Sequence, residues 1–261
     1  MEDFLKTAVV LDLETTGLDF ATCEVLELSA MPADAVVEAL EMGIRPCAGT
    51  LYKPRTPIEP EVSAVNGITN RMVADCDYFD EKIDEVSASL SEYKYLVAHN
   101  AFYDYNVLKA QGVTYPEVIC TLRMARKLFA DDDTVKKHTL SYLRYRLDLP
   151  IPDEIIAHRA ADDVIVTTAL FLHLLQEAIT KGFISGEGNV GAELIAWLDE
   201  PIVTTIMPFG KHKDKKMVDV PLSYWQWAIE NMDSLTEGTQ YYDADFAASV
   251  ALAVEQIFEK G

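Results

Sequence analysis

The chain has 261 residues, with 22 Lys+Arg against 43 Asp+Glu and a formal charge of −21. That length holds one domain with a full hydrophobic core, or one domain and a small appendage. The charge excludes a general polyanion binder, because non-specific affinity for nucleic acid comes from phosphates neutralised by Lys and Arg. An acidic chain meets phosphate only through local basic patches or bound metal, and most of its acid is expected to be a solvated surface. No run of about 18 apolar residues marks a membrane span. The acidic start, Met1-Glu2-Asp3, runs straight into a strand pattern, so no secretory leader is expected. The chain thus reads as cytoplasmic, with no membrane association. Cys23, Cys47, Cys76 and Cys120 lack metal-ligand or redox spacing and are expected to be buried, reduced thiols. Nothing in the pattern selects an oligomeric state.

Residues 7–13 (TAVVLDL) are a β-branched and apolar run, read as a buried central strand. Thr15-Thr16-Gly17 signals a turn, and residues 24–31 (EVLELSAM) read as a second strand. A third strand is expected over 49–53, closed by Pro54 and Pro57. Residues 78–93 carry apolar residues at helical spacing among many acids and predict an exposed amphipathic helix. Residues 95–98 (YLVA) read as a strand, 104–110 as a helix and 118–120 as a short strand. Helical periodicity returns over 139–147 (TLSYLRYRL) and, on more than one face, over 163–179. A meander of strands followed by alternating strands and helices predicts an α/β fold with a sheet of mixed direction. Residues 181–191 (KGFISGEGNVG) hold four glycines and read as a loop. The expected organisation is therefore a main domain over 1–180, a linker over 181–200 and a small C-terminal module over 201–261. That module has five Lys+Arg and nine Asp+Glu, and four of the five bases lie in one loop, PFGKHKDKK, at 208–216. Tyr224, Trp225 and Trp227 crowd a predicted helix just after it.

Asp12 and Glu14 alternate with apolar residues, so both point to one face at the end of the first strand. Two adjacent carboxylates are costly unless something positive lies between them. A hard divalent cation with oxygen ligands, Mg²⁺ or Mn²⁺, answers that need. The bland alternative, solvent-facing acids on an edge strand, fits the apolar flank poorly. Asp104 follows another strand end in HNAFYD, where an Asp or Asn is also a common helix cap. His158 and Asp163 open the long helix in HRAADD, where an acid is usually a dipole partner.

Together the three segments resemble the exonuclease motifs of the DEDD superfamily. D-x-E-T-T-G-L lies at Asp12 to Leu18, H-N-A-x-[FY]-D at His99 to Asp104, and H-R-A-x-x-D at His158 to Asp163. Arg159 stands four before the last Asp, where one subclass has Tyr, and His158 stands five before it. The histidine subclass, DEDDh, is therefore the one resembled, and within it most nearly the exonuclease X group. The likeness runs over the first ~180 residues. The FGKHK loop, with DVP and YWQW after it, resembles a small C-terminal module of some exonuclease X-like proteins. Three positions depart from the pattern. Asn66 replaces the His of H-G-I-T, with an expected effect no larger than a loop contact. Tyr103 stands where Phe is usual, and Asp214 where the module has Gly.

The resemblance implies an RNase H-like exonuclease fold, with a central mixed five-stranded sheet flanked by helices. It implies a 3′→5′ exonuclease acting on DNA 3′ ends, RNA not excluded, with two Mg²⁺ (or Mn²⁺) ions. Asp12 would bridge both ions, Glu14 and Asp163 would complete the first site, and Asp104 would hold the second. His158 would take the proton of the attacking water. Leu18 is expected either to pack against the terminal base or to bury itself in its turn. Thr15 and Thr16 are expected at the terminal nucleotide and Asn100 at a phosphate. Lys211, Lys213, Lys215 and Lys216 are expected to hold backbone phosphates, and the tryptophans to form the module's own core. A 3′→5′ exoribonuclease, and an inactive acidic adaptor on the same fold, are the alternatives.

Overall fold

A computed structural model describes the chain apart from residues 45–48, 131, 133, 153, 154, 156, 157, 240, 241 and 261 and the side chain of Lys260. One helical turn, α1 (Glu2–Leu5), leads into β1 (Ala8–Thr15), which pairs antiparallel with β2 (Val25–Pro32). α2 (Ala33–Glu41) follows, then a two-residue strand, β3 (Thr50–Leu51), and α3 (Pro60–Asn66). Pro60 at the start of α3 and left-handed Gly67 after its end delimit that helix by backbone preference alone. α4 (Ile83–Leu90), β4 (Tyr95–Ala98), α5 (Ala101–Ala110), β5 (Glu117–Cys120) and α6 (Thr121–Leu128) come next. α7 (Leu140–Arg146), α8 (Ala160–Thr180), α9 (Val190–Asp199), α10 (Leu222–Asn231) and α11 (Ala244–Lys260) complete the order.

The sheet runs β3-β2-β1-β4-β5, antiparallel across β3, β2 and β1 and parallel across β1, β4 and β5. It is the mixed five-stranded sheet the sequence predicts, and β1 is its middle strand. Period-two alternation gives β1 two different faces. Val9, Leu11 and Leu13 pack with Leu96, Ala98, Val107 and Leu108 in one core. The opposite face carries buried Ala8 and Val10, then Asp12 and Glu14, and α8 packs against β1 and β2. α8 is apolar around most of its circumference because β1, β2, β4, α6 and α7 all pack on it. By length and mean hydropathy alone it could cross a membrane, but it holds no run of 18 apolar residues and is mostly buried as a core helix.

Several expectations change. Residues 78–93 form a 3-10 turn at Phe79–Glu81 and then α4, a shorter helix than expected but amphipathic as read, with Phe79, Val86 and Leu90 buried and Asp84 and Glu85 exposed. Cys23 is buried, but Cys76 and Cys120 are half-buried; all three are free thiols, and Cys47 lies outside the described residues.

The chain divides into two compact units, residues 1–128 with 135–197, and residues 129–134 with 198–261. The stretch 181–200 is therefore not a plain linker. α9 fills its second half, and the Trp197 ring stacks on Phe183 at 5.4 Å and 21°. Asn189 accepts a hydrogen bond from the Tyr95 hydroxyl at 3.1 Å. A Cβ on Gly191 would fall 2.2 Å from the Tyr95 ring, so this glycine serves close packing rather than flexibility. In the second unit Trp225 is fully buried among Met207, Met217, Phe246 and Val250. Its indole N–H donates to the Met217 carbonyl at 3.3 Å. Trp227 is 51% exposed, so the expected core role falls to Trp225 alone.

Trp197 gives a direct check. If 181–197 belongs to the first unit, Trp197→Ala in the full chain should destabilise it by about 3–5 kcal/mol. Chemical denaturation would read this, and a change near zero would restore the linker.

Candidate active site

Three segments reach one end of the sheet by three local devices. At the end of β1 the register with β2 slips between Glu14 and Thr15, and the chain leaves the sheet there. Before the slip Asp12 sits opposite Ser29, and Glu14 opposite Glu27. At the end of β4, Asn100 takes a left-handed conformation (φ 59°, ψ 41°) and turns the strand into α5 within two residues. Asn tolerates that region better than most residues. The turn places Asp104, in the first turn of α5, 4% exposed at the end of β1, where the Leu13 N–H donates to its carboxylate. Before α8, His158 is also left-handed (φ 64°), and its backbone N–H donates to Asp163 Oδ2 at 3.1 Å. Glu14, His158 and Asp163 present potential ligand atoms within 4.8 Å of one another.

The electrostatics of the group are unfavourable without a cation. Burial holds Asp12 well above the ordinary carboxylate range, and Asp104, Asp163, Glu14 and Glu27 push it further. Burial, with Asp163 and Glu27, pushes Glu14 up to about 7. Burial likewise raises Asp104, against the backbone N–H groups that donate to it, and lifts Asp163 to about 6. Four carboxylates brought together at this cost form an all-oxygen donor set, which fits a hard divalent ion. His158, exposed at the rim, adds a nitrogen that such ions do not favour, so it stands beside the donor set rather than in it.

A fifth acid is neutralised internally. Glu27 has no exposure, and Arg159 forks onto it, Nε and Nη2 each donating at 3.0 Å. The Ala160 N–H adds a bond at 3.2 Å. This pair bolts the start of α8 to β2 and so sets Asp163 in front of Glu14. Space around it is tight: a Cβ on Gly49 would meet the Glu27 carboxylate at 2.4 Å. The sequence reading passed over both partners, although Arg159 lies inside the third motif.

Two departures from the family pattern touch the site. Asn66 is buried, and its side chain hydrogen-bonds Glu14 while its Oδ1 accepts from the Ile68 N–H at 3.0 Å. The substitution expected to affect only a loop thus reaches a carboxylate. The hydroxyl of Tyr103 donates to the Gly17 carbonyl at 2.6 Å and lies against the Thr15 hydroxyl, a tie that phenylalanine could not make. Thr15 also donates to Gly17, and the Thr16 hydroxyl accepts from the Glu24 N–H at 2.9 Å. Both hydroxyls therefore hold the turn. Leu18, at the tip of that turn, is 91% exposed, which excludes the reading in which it buries itself. His99 hydrogen-bonds Thr121 through Nδ1 and the His138 carbonyl through Nε2, each at 3.0 Å. A carbonyl only accepts, so Nε2 carries the proton; burial holds the ring down to about 4, hence neutral. Asn100 is exposed. In the second unit, Lys211, Lys213, Lys215 and Lys216 are exposed around buried His212. Asp214 sits at φ 67°, a conformation glycine adopts without strain, which accounts for the glycine usual there.

This sheet and this convergence of acids define a nuclease of the RNase H-like kind. The chain belongs to the exonuclease family, whose model matches residues 9–171. Residues 197–232 match a second family, described as a putative quorum-sensing-regulated virulence factor. Among curated proteins, the chain is 27% identical to Exodeoxyribonuclease 10 of Escherichia coli (strain K12) over 231 residues, 87% of this chain and 92% of that protein. It is 31% identical to the PolC-type DNA polymerase III of Bacillus cereus over 186 residues, 68% of this chain but only 12% of that protein. Among solved structures, exonuclease X in complex with 5′ overhanging duplex DNA superposes with a TM-score of 0.52 at 24% identity, covering 72% of this chain and 99% of that one. The nuclease domain of 3′hExo, a DEDDh family member bound to rAMP, gives 0.50 at 16%, covering 65% and 92%.

Two outcomes test the site's physics. Arg159→Met leaves Glu27 buried and unpaired, and should cost about 3 kcal/mol in chemical denaturation; adding Glu27→Gln should return part of that loss. The second concerns pH. Carboxylates held above their unfolded values bind protons more tightly in the fold, so the metal-free protein loses stability as pH rises through about 4 to 7. Its melting temperature in EDTA should therefore fall between about pH 5 and pH 8. Asp12→Asn should flatten that slope and raise the midpoint at pH 8, and Mg²⁺ should stabilise the natural chain more at pH 8 than at pH 5. A variant with the same slope as the natural chain would contradict the raised carboxylates.

Proposed function

We propose that the protein is a metal-dependent 3′→5′ exodeoxyribonuclease that removes nucleotides one at a time from DNA 3′ ends. The observation that carries this reading is the meeting of Asp12, Glu14, Asp104 and Asp163, from three distant segments, with His158 beside them. Support for DNA comes from the likeness to Exodeoxyribonuclease 10, which spans 87% of this chain and extends past the family match into the tail.

Two Mg²⁺ or Mn²⁺ ions held by these four carboxylates would lower the pKa of the attacking water and stabilise the charge that develops on the leaving 3′ oxygen. The chain's own residues do the rest. Asp12, Glu14 and Asp163 would hold one ion, and Asp12 with Asp104 the other. His158 takes the proton of the water, and its exposure lets it pass that proton to solvent. The hydrogen bond from Asn66 holds one face of Glu14 and so limits how that carboxylate turns. Leu18 packs against the terminal base, with the backbone of Thr15 and Thr16 alongside and Asn100 on a phosphate. Lys211, Lys213, Lys215 and Lys216 hold backbone phosphates. The three free cysteines among the described residues suit a reducing, cytoplasmic setting.

The test is a Mg²⁺-dependent time course on single-stranded DNA, recessed duplex DNA and matched RNA, each labelled separately at either end. A 3′ label should leave first as mononucleotide, and a 5′ label should shorten as a ladder. Asp12→Ala, Glu14→Ala, Asp104→Ala and Asp163→Ala should each abolish turnover, without additivity, because the four act as a unit. His158→Ala should lower turnover by ~10²–10⁴-fold while metal binding survives. Release from 5′ ends, or near-normal rates in any two carboxylate variants, would sink the proposal; faster cleavage of RNA would move the substrate to RNA.

A further inference from the structure

A cleft of about 430 Å³ opens beside the start of α5, lined by Asn100, Phe102, Tyr105, Leu122, Arg123 and Arg126 among others. Its position is fixed by the site already described. Asn100 turns β4 into α5, Phe102 is two residues before Asp104, and α6 supplies the far wall. His99 fastens that wall by bonding Thr121, the first residue of α6. Arg123 and Arg126 are three residues apart on α6 and so share a face.

The cleft brings two features together. The first is exposed aromatic surface. Phe102 is 69% exposed and meets Phe20, itself 36% exposed, edge-on at 6.1 Å and 89°. With Leu18 at 91% exposure, the turn after β1 and the start of α5 leave three large apolar side chains in water, of which Phe102 lines the cleft. Exposed apolar clusters of this kind mark binding surfaces. The second is positive charge. In a chain of net −21, residues 121–146 hold seven Lys+Arg against three Asp+Glu. Arg123 and Arg126, the bases of that segment that line the cleft, bring its positive charge to the site.

We propose that this cleft holds the single-stranded stretch of nucleic acid next to the reacting end, one base stacking on Phe102 and the adjoining phosphates pairing with Arg123 and Arg126. Aromatic faces accept any base, and guanidinium groups fork onto phosphate oxygens, so the cleft selects an unpaired strand rather than a sequence. The proposal rests on the exonuclease reading above and extends it from the terminal nucleotide to the strand behind it.

Two substrates separate the cleft from the chemistry. The p-nitrophenyl ester of thymidine 5′-monophosphate offers a reacting phosphate with no strand behind it; a fluorescent oligothymidylate on the order of ten nucleotides offers both. In Phe102→Ala, and in Arg123→Ala with Arg126→Ala, KM for the oligonucleotide should rise by roughly 5- to 100-fold. Its anisotropy-measured affinity in EDTA should fall in step, while Mn²⁺-dependent hydrolysis of the ester stays as in the natural chain. The double arginine variant should also bind with a log affinity–log salt slope reduced by about one per lost phosphate contact. Phe102→Tyr, which keeps the ring, should restore oligonucleotide binding. Unchanged oligonucleotide KM and affinity in both variants would overturn the proposal, as would an equal loss on ester and oligonucleotide. If the natural chain hydrolyses neither substrate, the exonuclease reading itself fails, and anisotropy then decides separately whether the cleft binds the strand.

Discussion

The site depends on one buried ion pair. Glu27 sits on the middle pair of the sheet, directly across from Glu14, with no access to water. Unpaired, it would add a fifth negative charge to a cluster whose members already sit far above their ordinary pKa values. Arg159 offsets that charge with two parallel hydrogen bonds and, in the same act, holds the first turn of α8 against β2. Buried pairs of this kind often add little to net stability, because desolvation offsets attraction. Their other effect is geometric. His158 is the residue before Arg159 and Asp163 is four after it, so fixing the arginine fixes both groups relative to Glu14. The bidentate fork matters here, since a lysine could satisfy the charge without setting the orientation.

The acidity of the chain has a related consequence. A net charge of −21 repels a polyanion at long range, so encounter with nucleic acid must be governed by where the few bases lie. Two sequence regions concentrate them. One is the loop at 208–216, legible as a lysine-rich run. The other, residues 121–146, is diluted by apolar residues and by three aspartates, and only α6 makes its arginines share a face. The acids elsewhere keep non-specific binding to polyanions weak.

Residue by residue, legibility followed the range of the interaction. Asp12 and Glu14 were readable because a strand's period of two places them together without any knowledge of the rest. The length of α8 and the strand at 95–98 were readable for the same reason. α6 was not read, although Thr121, Met124, Ala125 and Leu128 fall on one helical face and Arg123, Arg126 and Lys127 on the other; at eight residues, directly after β5, it is too short for that pattern to stand out locally. Residues 181–189 form the loop that the glycines predict, but Gly191 lies in α9, where the absent side chain makes room for the Tyr95 ring, which from sequence looks the same as flexibility.

The sequence by itself determined the family, the five strands and the candidate site residues, since each rests on short motifs with local spacing. Only the tertiary structure showed that Glu27, which no motif marks, is a buried charge facing Glu14, and what compensates it. Arg159 does so from a position 132 residues beyond Glu27 in the chain, and charge compensation across such a separation exists only once the fold has brought the two together.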